Sequence, residues 1–229
     1  IPTHSKEYPM KFANPKSPMW SVGGGKKANE LYVDEEVMSK LTQNAQSFIV
    51  ENSKKPFFLY FATTAIHHPF TPHPKFIGTS QCGIYGDFIH ELDWSVGEIM
   101  KTLKNQDLIE NTLVIFTSDN GGMLNAGGME AWEKGHRLNG ELLGFKFGAW
   151  EGGHRIPFIT YWPGVIEPEQ TSDKLIANVD LFATFAELYG RKLKNSEGPD
   201  SFSLLNALLG NNDSPGREHL LIQAFHKDK

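Results

Sequence analysis

The chain has 229 residues, of which 39% are hydrophobic and 12% aromatic, and its formal net charge is -5 at pH 7. This composition predicts one globular domain with a substantial core. The mild negative charge, without a long basic tract, excludes a typical nucleic-acid binder. No apolar run approaches the ~20 residues of a membrane helix, and residues 1–10 do not resemble a signal peptide. The single cysteine, Cys82, excludes a disulfide framework and a cysteine-rich zinc site.

The first half of the chain predicts an irregular segment, a helix, a strand and a second helix. Residues 1–33 are rich in proline and glycine and lack periodicity. Asp34 is predicted to cap a helix that ends before Pro56. The run FFLYFAT, residues 57–63, is typical of a buried parallel strand. The apolar positions predicted to face the core are Val37, Leu41, Ala45 and Phe48 in the first helix, and Phe88, Leu92, Val96, Ile99 and Leu103 in the second, which ends near Asn105.

The second half predicts two more strands and two helices around a long loop. TLVIFTS, residues 112–118, and PFITYWP, residues 157–163, are predicted strands. The glycine-rich residues 121–153 have no sustained period, which is typical of a functional or a disordered loop. Asp180 is predicted to cap a helix that stops at Gly190, with Leu181, Phe185 and Leu188 facing the core. Residues 201–210 predict a short helix and residues 219–225 the opening of a strand. The order of elements indicates an α/β fold.

Polar residues with possible chemical roles follow two of these strands. Ligands of open α/β sheets bind beyond the carboxyl ends of the strands. Asp119 and Asn120 offer adjacent hard oxygen donors, which suit Ca²⁺ or Mg²⁺, although the same residues with the next two glycines also form ordinary turns. His67 and His68 precede Pro69. They could bind a metal, transfer a proton or donate to an anion, and the alternative is a solvated surface pair.

The segment GFKFGAWEGGHRIPF, residues 144–158, combines positive donors with glycines and aromatics. Lys146, His154 and Arg155 could hold an oxyanion. The structural alternative is a surface loop in which Glu151 and Arg155 form a salt bridge. Both can hold, with Lys146 facing a ligand while the ion pair fixes the loop.

Three segments in this order resemble the sulfatase family of the alkaline-phosphatase-like superfamily. They are His67-His68-Pro69, Ser118-Asp119-Asn120-Gly121, and Lys146 five residues before Glu151-Gly152-Gly153-His154-Arg155-Ile156-Pro157. The resemblance covers roughly residues 30 to 225. It implies a mostly parallel sheet flanked by helices, incomplete on its N-terminal side. The chain would then be one partial catalytic domain, with an irregular segment 1–33, an α/β core 34–217 and the start of a C-terminal subdomain at 218–229.

The resemblance also implies an activity, the calcium-dependent hydrolysis of a sulfate ester, R-O-SO₃⁻. Asp119 and Asn120 would bind the calcium ion, and His67 and Lys146 would contact the sulfate and its bridging oxygen. His136 and Arg137 are further candidates for the substrate rim. The implied partner is a sulfated small molecule or glycan, and Trp132 and Trp150 would suit stacking on a sugar or simply pack the loops. Nucleic acid and a membrane span are not expected.

The family's nucleophile is missing from these segments. It is a formylglycine made from the first residue of a Cys/Ser-x-Pro/Ala-x-Arg motif, and no such motif occurs in residues 1–229. We therefore expect an inactive fragment of a sulfatase, whose remaining calcium ligands lie outside this chain. The alternatives are a phosphohydrolase of the same superfamily and a non-catalytic anion- or glycan-binding protein. Family resemblance suggests a periplasmic, secreted or lysosomal location.

Overall fold

A computed structural model of the chain describes residues 33–124, 126–211 and 215–224. The described residues form two compact units, one within residues 33–108 and 123–141 and one within residues 109–122 and 142–224. The predictions for residues 1–32 and for residues 225–229 lie outside the described residues. Among the helices that the structure describes, none has the length and apolarity to cross a membrane.

The first unit is built from helices and the second contains a small sheet. In chain order the elements are the helices α1 (Val37–Glu51) and α2 (Gly83–Asn105), the strand β1 (Val114–Thr117), the helices α3 (Ala126–Glu133) and α4 (Glu151–His154), the strand β2 (Phe158–Tyr161), and the helices α5 (Asp180–Leu188) and α6 (Leu205–Leu208). Short 3₁₀ turns precede α1 and α2 and follow α2, at Asp34–Glu36, Pro74–Phe76 and Ile109–Asn111.

Helix α1 is confirmed, but its predicted cap and buried face are wrong. Val33 precedes the 3₁₀ turn that leads into α1, and Asp34 lies inside that turn without capping it. The buried positions are Met38, Thr42, Ala45 and Ile49, of which only Ala45 was predicted. Thr42 is buried because its hydroxyl lies 2.6 Å from the hydroxyl of Ser95 on α2. This polar contact between helices shifts the buried face by about one position.

Helix α2 ends at Asn105, as predicted, and it buries Phe88 and Leu103. Its inner face also carries two buried carboxylates, which the apolar periodicity does not indicate. Asp87 accepts the backbone N–H of Gly78 and of Ser80, each at 2.9 Å. Glu91 accepts the backbone N–H of His73 at 2.9 Å. These carboxylates hold the loop that follows the histidine pair, since buried N–H groups need acceptors.

Glu91 lies in an environment that favours its neutral form. It is fully buried, and its Oε1 has no hydrogen-bond partner in the part of the chain that the structure describes. Burial raises the pKa of Glu91, against the lowering effects of the His73 hydrogen bond and of Lys75. A carboxyl with a raised folded-state pKa contributes more stability at low pH, and that contribution is lost as the pH rises through this pKa.

The predicted parallel sheet is not what the described residues show. They contain one sheet of two strands, in which β1 and β2 pair antiparallel, Val114 opposite Tyr161 and Thr117 opposite Phe158. The run 57–63 belongs to no sheet in the described chain, and alternate side chains point outward, with Tyr60 82% exposed. A strand of a parallel sheet is covered on both faces. Within the described residues, the outer face of this run is largely exposed.

The late elements of the second unit follow the sequence only in part. Helix α5 ends as predicted, because Gly190 adopts a φ of +68° that other residues rarely reach. Its buried positions are Asp180 and Thr184 rather than the predicted apolar residues. Asp180 is not the N-cap, which is Val179. The predicted strand at 219–225 is not formed in residues 219–224.

Candidate active site

The loop after β1 presents the two predicted cation ligands. The Ser118 hydroxyl donates to the carbonyl of Asn120 at 2.9 Å, and the Asn120 amide donates to the carbonyl of Gly121 at 3.0 Å. Because its nitrogen is engaged, Asn120 keeps its Oδ1 available as an oxygen donor. Asp119 is exposed, and no described residue forms a hydrogen bond or ion pair with its carboxylate. Residues 118–122, hereafter the cation loop, therefore offer the side-chain oxygens of two residues, Asp119 and Asn120.

The loop that carries Lys146, residues 144–155 and hereafter the Lys146 loop, is hydrogen-bonded to the cation loop. The N–H of Lys146 donates to the carbonyl of Gly122 at 2.9 Å, and the N–H of Gly121 donates to the carbonyl of Gly153 at 3.0 Å. Two of the three sequence motifs are thus brought together by backbone contacts within the second unit. The lysine motif and the cation motif were predicted separately, and the structure makes them neighbours.

Two glycines permit this close approach. Gly152 and Gly153 are buried in α4. A side chain at Gly152 would clash with the carbonyl of Gly144, and a Cβ at Gly153 would lie 2.7 Å from the carbonyl of Phe145. Both contacts are with backbone, which cannot move aside as a flexible side chain could. The Glu-Gly-Gly motif therefore serves backbone packing under the Lys146 loop.

The charged residues of the Lys146 loop have separate partners. Glu151 and Arg155 form the predicted salt bridge, 3.6 Å long, and both side chains are exposed. Such a pair contributes little stability, about 0–1 kcal/mol. The Lys146 ammonium is half-buried and lies 5.5 Å from the centre of the Phe147 ring. No described carboxylate pairs with Lys146, so its charge is available to an anion.

The chemistry of the cation loop fits calcium in kind but not in number. A carboxylate and an amide oxygen are the hard donors that Ca²⁺ prefers, and the ion normally takes about 6–8 oxygens. The described residues contain no group of three or more His, Cys, Asp or Glu side chains that could hold a metal. Asp119 and Asn120 therefore fit as part of a calcium site, and further ligands are needed to complete it.

The predicted histidine lies in the first unit, on an exposed turn. The N–H of His67 donates to the carbonyl of Thr64 at 3.0 Å, and its ring stacks on that of His68 with 4.3 Å between centroids. The His67 Nδ1 lies 2.5 Å from the His68 carbonyl, which can only accept, so Nδ1 carries the proton. This contact fixes the tautomer of His67 and leaves its Nε2 for another group.

The two further rim candidates, also in the first unit, have protein contacts of their own. The His136 ring lies 5.9 Å from the ring of Tyr85. The Arg137 guanidinium lies 4.1 Å from the Trp132 ring and donates to the Trp132 carbonyl at 3.3 Å. Trp132 thus contacts an arginine, whereas Trp150 lies within the Lys146 loop and is 62% exposed. Of the two tryptophans, Trp150 is the better placed for a ligand.

Sequence reasoning missed one residue of this site. The Asn178 amide donates to the carbonyl of Ser118 at 2.9 Å, at the start of the cation loop. Asn178 lies 60 residues further along the chain, in a stretch without any periodic signal. The only hint in the sequence is its place two residues before the predicted helix start at Asp180, where polar side chains commonly meet backbone groups.

The chain is similar to known proteins in both sequence and fold. Residues 3–191 match the Sulfatase family. An N-acetylgalactosamine-6-O-sulfatase of Bacteroides thetaiotaomicron is 43% identical over 89% of this chain and 40% of its own length. The human steryl-sulfatase is 37% identical over 79% of this chain and 31% of its own. The PsFucS1 sulfatase structure from Pseudoalteromonas sp. superimposes with a TM-score of 0.72 at 30% identity, covering 84% of this chain and 39% of that one.

The fold, the ordered motifs and these similarities define one class of protein. The chain has the fold of sulfatases, as far as the described elements extend. It belongs to the sulfatase family, which confirms the resemblance found in the sequence. The chain spans about 40% or less of the length of the curated relatives named above.

Proposed function

We propose that this chain is the later part of the catalytic domain of a calcium-dependent sulfuric ester hydrolase. The observation that carries the proposal is the pair of backbone hydrogen bonds joining the Asp119-Asn120 loop to the Lys146 loop. A cation and a lysine side by side are suited to a substrate whose oxygens gain negative charge during reaction. Family membership supports the same reaction class.

Three residues of the second unit, Asp119, Asn120 and Lys146, have roles in this proposal. Asp119 and Asn120 supply oxygens to the calcium ion, which when bound would withdraw electron density from the sulfate group. The Lys146 ammonium, free of carboxylate partners in the described chain, binds a sulfate oxygen and stabilises the charge that develops there. Within the described residues the exposed Glu151 and Arg155 form an ion pair with one another, so we assign them no chemical step.

The leaving oxygen requires a hydrogen-bond donor or acid. By its resemblance to the family, His67 takes this role. Its Nδ1 is committed to the His68 carbonyl, so Nε2 is the atom that would face the bridging oxygen. Donation from Nε2 requires the imidazolium form, in which both ring nitrogens carry protons.

The attacking group must come from outside residues 1–229. These residues contain no Cys/Ser-x-Pro/Ala-x-Arg motif from which a formylglycine could form. Cys82 lies before α2 and has no such flanking residues. We therefore expect the 229-residue chain to release no sulfate, since covalent catalysis has no nucleophile there.

The substrate we propose is a carbohydrate sulfate. Trp150 is exposed within the Lys146 loop, where an indole face could stack on a sugar ring. The Bacteroides relative is named for a sulfate on N-acetylgalactosamine. The steryl-sulfatase is named for a sterol sulfate, so the Trp150 surface rather than family membership favours the sugar.

Matched aryl esters test the reaction class. The full-length protein that contains this chain is expected to hydrolyse an aryl sulfate at least about 100-fold faster than the corresponding aryl phosphate, a preference of about 2.7 kcal/mol in the transition state. The 229-residue chain, assayed in parallel, is the control that lacks the nucleophile. Faster hydrolysis of the phosphate ester would indicate a phosphohydrolase. Binding of both esters without turnover would indicate a binding protein.

A further inference from the structure

Asn178 contacts the strand end and the cation loop at once. Its Nδ2 donates to the carbonyl of Ser118 at 2.9 Å, and its Oδ1 accepts the hydroxyl of Thr117 at 3.3 Å. The Ser118 carbonyl belongs to the same planar peptide unit as the N–H of Asp119. Holding that carbonyl therefore restrains the peptide plane from which Asp119 departs.

The other contacts of the cation loop restrain different parts of it. The Ser118 hydroxyl and the Asn120 amide bond to carbonyls inside the loop, and the N–H of Gly121 bonds to Gly153 at its far end. None of these contacts involves the peptide between Ser118 and Asp119. In the described residues two hydrogen bonds reach the Ser118 carbonyl of that peptide, a short one from the Asn178 amide at 2.9 Å and a long one from the Thr117 hydroxyl at 3.5 Å.

The backbone next to Asn178 is held in place by hydrogen bonds with Asp180. The Asp180 carboxylate accepts the N–H of Ala177 at 2.8 Å, and the N–H of Asp180 donates back to the carbonyl of Ala177 at 2.9 Å. Asp180 is fully buried and accepts two hydrogen bonds from Arg217, the shorter at 2.6 Å. The residue before Asn178 is thus tied to the start of α5, which limits the movement of the Asn178 side chain.

We infer that Asn178 is a positioning residue for the calcium-binding loop, supported from behind by Asp180 and Arg217. The inference rests on the proposed role of Asp119 and Asn120 as calcium ligands. Asn178 does not bind the ion. It holds the Ser118–Asp119 peptide so that the side chains of Asp119 and Asn120 are already oriented when calcium binds. This lowers the conformational entropy that the loop loses on binding.

The test compares Asn178→Ala with the wild type in the full-length protein. Loss of one hydrogen bond of about 1.4 kcal/mol corresponds to a tenfold change in an equilibrium. We therefore expect about tenfold faster amide hydrogen exchange in peptides covering residues 118–122 and about tenfold weaker calcium binding by calorimetry. The unfolding midpoint without calcium should stay near that of the wild type, a result that distinguishes positioning from general stabilisation. Excess calcium should restore sulfate release.

Two further variants keep the test decisive. Thr117→Val removes the hydroxyl that contacts both Asn178 and the Ser118 carbonyl, so it should give smaller changes of the same kind even if Asn178→Ala folds poorly. Asn206→Ala alters an exposed asparagine on α6 and should change nothing. Unchanged exchange and calcium affinity in Asn178→Ala would overturn the inference while leaving the proposed function intact. Absence of calcium binding by the wild type would instead contradict the proposed function, and the inference with it.

Discussion

Replacing Lys146 with alanine in the full-length protein is expected to lower kcat for an aryl sulfate by about 10²–10³-fold, the typical cost of losing one preorganised donor to a developing charge. The Lys146 side chain is half-buried on a loop and has no carboxylate partner among the described residues. It therefore contributes little to packing. The unfolding midpoint should change by no more than about 2 °C, as for a substitution within about 0.5 kcal/mol.

Steady-state kinetics and thermal unfolding, measured on the same preparations, check this expectation. Lys134→Ala is the matched control, because Lys134 is an exposed lysine whose salt bridge to Glu130 lies within a single helix and its following turn. Both variants remove one ammonium group, and only the first should lose turnover. A large drop in unfolding midpoint with unchanged kinetics in Lys146→Ala would contradict the assignment.

Replacing Asp180 with asparagine is expected to destabilise the protein by about 3–5 kcal/mol, the usual cost of leaving a buried charge without its partner. Asp180 is fully buried and the Arg217 side chain is 9% exposed. The carboxylate also accepts the N–H groups of Ala177 and Phe202, so asparagine cannot satisfy all of its donors. Arg217 would retain its contact with the carbonyl of Asp200 but lose its counter-ion.

The free energy of unfolding of Asp180→Asn and of Arg191→Ala, measured by urea denaturation, compares the loss of a buried ion pair with the loss of an exposed one. Arg191 and Glu197 form an ion pair of 2.7 Å, close to that of Asp180 and Arg217, but the Arg191 side chain is exposed. Its loss should cost less than about 1 kcal/mol. Equal destabilisation by the two variants would show that burial of the Asp180 pair does not matter.

The ion pair between Asp180 and Arg217 also predicts a loss of stability in acid. Burial acts to raise the pKa of Asp180, but hydrogen bonds from Arg217, Phe202 and Ala177 and the charge of Arg217 together hold it below its ordinary value. A lowered folded-state pKa means that the contribution is fully present above the unfolded-state value and is lost as the pH falls through the folded-state value. In Asp180→Asn this acid-side dependence should be absent.

The sequence names candidate site residues, but it predicted the packing around them poorly. The residues of the cation loop and Lys146 were identified from short ordered motifs, which depend on local spacing. The predicted face of α1 was wrong because Thr42 turns inward to meet Ser95, 53 residues away. In the same way, Glu91 is buried on α2 because it accepts the N–H of His73. Contacts between distant segments leave no periodic signal in one sequence.

The described residues do not show the predicted parallel sheet, for a related reason. An apolar run such as residues 57–63 indicates that both faces of a strand can be covered, but it does not identify what covers them. In the described residues this run has no strand neighbour, and β1 pairs antiparallel with β2 instead. Pairing direction depends on the path of the connecting segments. Asn178 was missed because its role depends on where α5 begins relative to the end of β1.

The most direct test of the central claim is the calcium dependence of sulfate release by the full-length protein. After chelation and removal of divalent ions, the wild type should lose its activity against an aryl sulfate and recover it when calcium is added back. Asp119→Asn, which removes one charged oxygen from the ion, should need at least about tenfold more calcium for half-recovery, as expected for the loss of about 1.4 kcal/mol of binding. Activity that survives chelation, or an identical calcium requirement in both proteins, would contradict the account.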